Sequence, residues 1–394
     1  VYKRQGNSSI WLIVAAFLFA KSFIKTGLGR RIAFWLITKM GTSTLKLAYT
    51  IILSDLIISP ATPSNAARAG GILFPIVRGL ASAFDSEPNK NPRRVGAFLI
   101  QAEYQGNTVT SAMFMTAMAG NPLAILLASQ ALGINMTWGT WALAAIVPGL
   151  IALAVIPYYL YKVYPPELKK TPEAQALAQQ ELAEMGPISY AEKAVAFIFV
   201  GALLLWSTSN LTGLNATVVA LLGVSSMLVT KILSWQDVLD EKGAWDTLVW
   251  MGTLVGLAGQ LAKSGVIDWM SGHISSALVG VSWLATLVIL LLIYFYIHYG
   301  FASLTAHITA LYSTFITIAV AAGAPAYLAV LVFAFASNLC MSLTHYAAAP
   351  APIYFGAGYV PQSTWWKLGF QVSVINIVIW FGIGSVWWKV LGLW

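Results

Sequence analysis

Runs of about 20 mostly apolar residues recur along this 394-residue chain, and no other feature limits its fold as strongly. A run of that length crosses the hydrocarbon of a bilayer as a helix. Apolar residues make up 58% of the sequence and charged residues 9%. Soluble proteins carry about 25% charged residues, so this chain has too few to cover a surface in water. A water-soluble enzyme, a disordered chain and a nucleic-acid module are therefore excluded. No period-two alternation marks strands of a barrel. The reading is an all-α polytopic membrane protein, with the lipid bilayer as its first partner. The net charge of +8 does not imply nucleic acid. The basic residues cluster in short loops between spans, as the positive-inside rule expects.

Clear spans fall near 137–161, 194–209, 213–231, 246–262, 277–297, 325–343 and 367–392. Between 9 and 135 the sequence is apolar but broken by Gly, Pro, Ser, Thr and Asn, with pieces near 9–24, 44–59, 66–83, 95–103 and 111–132. Broken apolar segments suggest re-entrant hairpins. One long polar stretch, 162–193, holds a segment rich in Ala, Glu and Gln that predicts a short surface helix. It separates residues 1–161 from 194–394. The tryptophans, among them Trp365, Trp366, Trp387 and Trp388, suit interfacial belts.

The two parts resemble each other. Lys25-Thr26-Gly27 returns as Lys263-Ser264-Gly265, and Ser64-x-x-Ala-Arg68 returns as Ser303-x-x-Ala-His307, at offsets of 238 and 239. Residues 21–46 carry Lys21, Lys25, Arg30, Arg31, Lys39 and Lys46, whereas 259–284 carry only Lys263, with Asp268 nearby. If positive charge marks one side, the copies face opposite sides, which makes an inverted-topology repeat. The spans at 194–209 and 213–231 then have first-copy partners before residue 1. At least two N-terminal helices are thus expected to be missing before Val1.

The stretch Ile58–Ile76 places Pro60, Pro63, Ser64, Asn65 and Arg68 inside an apolar run. Pro63 biases Thr62 away from helix, and Ser64 and Asn65 suit the cap of the helix that follows. A helix start within a membrane offers free N–H groups and the positive end of a dipole to a carboxylate. Arg68, with a fork that matches carboxylate, and His307 would give one cation from each copy for a dianion. Polar clusters some 40 residues later, Gln105–Ser111 and Ser342–Tyr346, suggest unwound backbone completing the site. Asn107, Thr108, Thr344 and His345 are the candidates there. His273 and His298 lack companion ligand spacing and Cys340 is the one cysteine, so neither a metal site nor a cofactor is expected. No Walker loop, dinucleotide-binding turn or zinc-protease motif is present.

The segments SNAARAGGILFPI and THYAAAPAPIYFGAGYV resemble the divalent anion:sodium symporter family. They are most similar to its branch of plastid 2-oxoglutarate/malate translocators and bacterial citrate:succinate and tartrate:succinate antiporters. The resemblance implies a homodimeric elevator transporter, with a scaffold domain and a transport domain carrying two re-entrant hairpins. In the family, Ser-Asn-Thr at each hairpin tip binds substrate carboxylates. The matching residues here are Ser64, Asn65 and Ala66 in the first tip and Ser303, Leu304 and Thr305 in the second. The first tip lacks the Thr hydroxyl and the second lacks the Asn amide that helps hold sodium. With Arg68 and His307 as fixed cations in place of sodium, the expected activity is exchange of 2-oxoglutarate, malate, succinate or fumarate, with citrate or tartrate as further candidates. The alternatives are a sodium-coupled dicarboxylate symporter and, further off, an anion channel or intramembrane enzyme. A bacterial inner membrane or a plastid inner envelope is the expected location.

Overall fold

The computed structural model describes residues 7–265 and 281–394. Asp268, His273 and the first residues of the span at 277–297 lie outside the described residues. Among the described residues the chain is helical and contains no strand, only isolated bridges. Seven helical stretches among the described residues are long and apolar enough to cross a membrane.

Helix α1 (Ser8–Thr26) starts at Asn7, whose side chain accepts from the Ser9 N–H, and ends at Gly27. Helix α2 (Leu28–Met40) follows at once, and α3 (Thr44–Ile58) is capped by Ser43. The prolines then act as expected. Pro60 sits in a 3-10 turn at 59–61, Thr62 is extended, and a π-helical segment, Ala66–Leu73, leads into α4 (Phe74–Ala83). Helix α5 (Gly96–Met113) precedes a break, which α6 (Gly120–Leu132) and α7 (Trp138–Val163) follow.

Among the described residues, part of this order of elements returns later in the chain. Helix α8 (Glu173–Glu184) is the expected short helix, and α9 (Tyr190–Ser207), α10 (Ala216–Val229) and α11 (Lys242–Lys263) come next. Helix α12 (Trp283–Tyr296), a 3-10 turn at 297–300 and a one-turn helix Leu304–His307 repeat the course of 44–68. A second π segment, Ile308–Tyr312, leads into α13 (Ser313–Ala321), as the first leads into α4. Helix α14 (Ala326–Leu339), a broken stretch, α15 (Ala351–Gly356), α16 (Gln362–Asn376) and α17 (Gly384–Val390) complete the chain. Gly27 and Gly265 both have φ +77°, a left-handed conformation that glycine takes without a Cβ penalty. The repeated Lys-x-Gly motif is therefore a repeated helix end.

Helix α5 is the axis of the packing. All 18 of its residues are buried, and it touches α3, α4, α7 and α14. The sequence reading divided this stretch wrongly, into 95–103 and 111–132. The helix runs unbroken through Gln105–Ser111, and the break falls at Phe114–Met118, both extended. The short helix of the polar stretch is packed on the protein: α8 lies along α2, with Ala174 and Ala178 buried, Gln175 donating to Thr38 O and Arg30 paired with Glu181. One further expectation is corrected. Trp365 and Trp388 are core residues rather than belt residues. Both are fully buried, and Trp388 donates to Ala144 O at 2.8 Å, which fixes α17 against α7.

Candidate functional site: two hairpin tips and two broken helices

At the first tip, Ser64 Oγ accepts from the Ala67 N–H at 3.1 Å, the cap expected from sequence. At the second, Ser303 Oγ accepts from the Ala306 N–H at 3.3 Å. The tips differ in openness. Asn65 is buried, with its amide directed at Met341 Sδ, and Ala66 is half-buried. Ser303 and Ala306 are exposed and Thr305 is half-buried, while Leu304 is buried as an apolar plug.

A cavity of about 590 Å³ opens beside the second tip, lined by Ser303, Thr305, Ala306, Thr309, Asp246 and Trp250, with Ala119 at its edge. Ala119 also belongs to the first half's break, where its N–H donates to Pro63 O at 2.9 Å. One residue thus joins the first tip to the cavity of the second. The two broken helices are tied just as directly. Asn338 donates to Asn121 Oδ1 at 2.8 Å, and Asn121 donates to the carbonyls of Ser111 and Phe114, both at 2.9 Å. Tyr104 donates to Met341 O at 2.6 Å and Gln105 to Ser342 O at 3.3 Å. Gly369 approaches so closely that a Cβ there would stand 2.3 Å from Ser342 O. Ser342 Oγ and Thr344 Oγ1 are buried with no hydrogen-bond partner among the described residues.

Arg68 corrects the sequence reading. Its guanidinium is fully buried and every donor is used within the protein. Nε pairs with Asp55 Oδ1 at 2.6 Å, one terminal nitrogen meets Thr62 O and Ala117 O at 2.7 and 2.9 Å, and the other meets Ser111 Oγ at 2.9 Å and Thr110 Oγ1 at 3.5 Å. It is not an open fork for substrate. It staples the first tip to α3, α5 and the break, and its charge is matched by Asp55. His307 is placed differently: its Nδ1 lies 2.6 Å from His298 Nδ1, and its ring packs 4.3 Å from that of Tyr294. Arg68 and His307 have separate sets of protein partners.

Asn107 and Thr108 are not in unwound backbone. They lie inside α5, where Asn107 donates to Asp55 Oδ2 at 3.0 Å and Thr108 to Tyr104 O. His345 Nδ1 accepts from Trp366 at 3.0 Å. Thr344 does sit in a break, as expected. His298 does have companions, contrary to its spacing: His298, His307 and Cys340 bring one ligand atom each within 4.8 Å of one another, a group able to hold a metal ion. Sequence reasoning missed Asp55, Glu103 and Asn338 and placed Ser111 and Asn121 only within a polar region. Acids inside apolar runs were the available signal for Asp55 and Glu103.

The family described as "Sodium:sulfate symporter transmembrane region" matches residues 3–394. The protein YflS of Bacillus subtilis is 50% identical over 390 residues, covering 99% of this chain and 82% of that protein. "Dicarboxylate transporter 1, chloroplastic" of Arabidopsis thaliana is 45% identical, covering 99% of this chain and 70% of that protein. Two solved structures share the fold: Neisseria gonorrhoeae MtrF, at TM-score 0.64 and 13% identity (97% of this chain, 81% of that one), and the Alcanivorax borkumensis YdaH transporter, at 0.66 and 11% (97% and 85%). Fold and family together define an integral membrane transporter, not an enzyme. The chain belongs to the sodium:sulfate symporter transmembrane family, the divalent anion:sodium symporters that its motifs resemble.

Proposed function

We propose that this chain exchanges di- and tricarboxylates, such as 2-oxoglutarate, malate, succinate and fumarate, with citrate or tartrate as further partners. The supporting observation is the open second tip, where the Ser303 and Thr305 hydroxyls and a helix start face a cavity large enough for a small dianion. Chain-long similarity to a protein named a dicarboxylate transporter agrees with it. Substrate carboxylates meet the second tip first, and the first tip, at Ser64 and Asn65, completes the site when the carrier closes. Residues 1–161 and 194–394 act as inverted halves joined by 162–193. The tips and broken helices move as one transport body against a dimeric scaffold.

Sodium independence rests on the second tip: Leu304 has no side-chain oxygen for a coupling ion. Arg68 is committed to Asp55 and His307 is buried against His298, so the carboxylates are met at the second tip by hydroxyls and backbone N–H groups rather than by a fixed cation. The family's name keeps a sodium-coupled symporter as the second reading.

Competition tests the substrate class. Unlabelled 2-oxoglutarate, malate, succinate, fumarate, citrate, tartrate, sulfate and a monocarboxylate are offered against labelled malate in proteoliposomes. Competition by dicarboxylates and none by the monocarboxylate is expected. Competition by sulfate alone would overturn the reading.

A further inference from the structure

Arg68 is the one buried cation among the described residues of its cluster, and two buried carboxylates share its surroundings. Asp55 takes the full pairing, accepting from Arg68, Asn107 and Thr110. Glu103, one turn before Asn107 on α5, is 1% exposed, and neither of its carboxylate oxygens has a hydrogen-bond partner. The charges are therefore one positive against two negative. An ionised, unpaired carboxylate held out of water is far more costly than a neutral carboxyl group, and such groups take up a proton.

The surroundings offer no second counter-charge. Asp55 of α3 and Arg68 of the π segment act on Glu103. Tyr354 of α15 closes the same cluster, its hydroxyl donating to Ala69 O at 3.0 Å. Tyr104 is committed to Met341 O, and Cys340 is a buried thiol. Lys46 of α3, Arg78 of α4, Lys162 of α7 and Lys367 of α16, charged residues on other faces of helices around α5, are all exposed.

We propose that Glu103 is a proton-binding site of the carrier: with Glu103 protonated, the Arg68–Asp55 cluster is neutral and the transport body crosses, and loss of that proton arrests crossing. The bound ligand is a proton on one Glu103 carboxylate oxygen, taken from and returned to water when the cluster opens. The functional half of this statement rests on the transport reading above.

The test uses the full chain in liposomes. Labelled malate exchange is followed from pH 6 to 9 at equal pH on both sides, in sodium and in choline, for the wild type and Glu103→Gln. Infrared difference spectra of the same samples report the neutral carboxyl stretch. The wild type should slow as pH rises, by about tenfold per unit beyond its midpoint, whereas Glu103→Gln, locked neutral, should keep exchanging at alkaline pH. The neutral carboxyl band should be present in the wild type, absent in Glu103→Gln and displaced in Glu103→Asp. Should Glu103→Gln not insert, Glu103→Asp and the wild-type spectrum decide. Matching pH profiles, a missing band, or a sodium requirement that Glu103→Gln removes would overturn the proposal. An absence of malate exchange at every pH would instead count against the transport reading, and the spectra would still judge Glu103.

Discussion

Arg68 and Asp55 form an ion pair from which water is excluded, with Nε 2.6 Å from Oδ1 and both side chains 0% exposed. Burying two charges is costly, so the pair is poor evidence for added stability but strong evidence of interdependence. Arg68→Ala should destabilise by about 3–5 kcal/mol, because it leaves Asp55 buried without a counter-charge. Asp55→Leu with Arg68→Met should recover part of that loss. Thermal unfolding in detergent checks this, and an Arg68→Ala protein as stable as wild type would refute the pairing.

The break at 340–350 depends on α16 coming close. Gly369→Ala would drive a Cβ to 2.3 Å from Ser342 O and 2.8 Å from Leu343 O, both backbone atoms that cannot rotate away. A cost of about 1–3 kcal/mol is expected, as for other overpacked sites. Unfolding temperature reads it out, and no change would mean that the helices do not meet there.

Ser303 and Thr305 lie on the open second tip, so their loss should act on binding, with a further small loss of stability for Ser303→Ala, which also removes the cap on the Ala306 N–H. Ser303→Ala and Thr305→Ala should each raise the half-saturating substrate concentration about fivefold, the worth of one hydrogen bond of about 1 kcal/mol. The unfolding temperature should hardly move for Thr305→Ala. Unchanged half-saturation in both variants would remove the second tip from the site.

In the last turn of α1, Lys25 donates at 2.5 Å to Asp237, which lies outside the membrane-spanning helices. This bond, helped by the Ser234 N–H, lowers the Asp237 pKa from 3.8 to about 2. A depressed acid contributes stability above its unfolded pKa and loses it as pH falls through its folded pKa. The contribution is therefore present above about pH 4 and fades toward pH 2. The pair is largely exposed, so its worth is about 0.2–1 kcal/mol after screening. Lys25→Ala should lower the unfolding temperature at pH 6 and match wild type near pH 2. A deficit of equal size at both pH values would show that Lys25 acts through packing.

The spans were legible because an apolar run of bilayer length leaves few alternatives. The repeat was legible at Gly27 and Gly265, where one backbone conformation demands one residue. The Ser64 cap followed from Ser and Pro chemistry. The role of Arg68 was not legible. Its partners stand 13 residues before it at Asp55 and 43 after it at Ser111, and only packing brings them together. The polar run Gln105–Ser111 reads as a helix breaker in isolation, yet it stays helical because Asp55 and the 340–342 turn absorb its side chains. His298 and His307, nine residues apart across the tip, meet only because the chain turns between them.

The most direct measurement follows labelled malate into liposomes that are either preloaded with 2-oxoglutarate or succinate or left empty, with and without sodium. The account predicts uptake only into preloaded vesicles, at the same rate in either salt. Uptake into empty vesicles that requires a sodium gradient would contradict it and make this carrier a symporter.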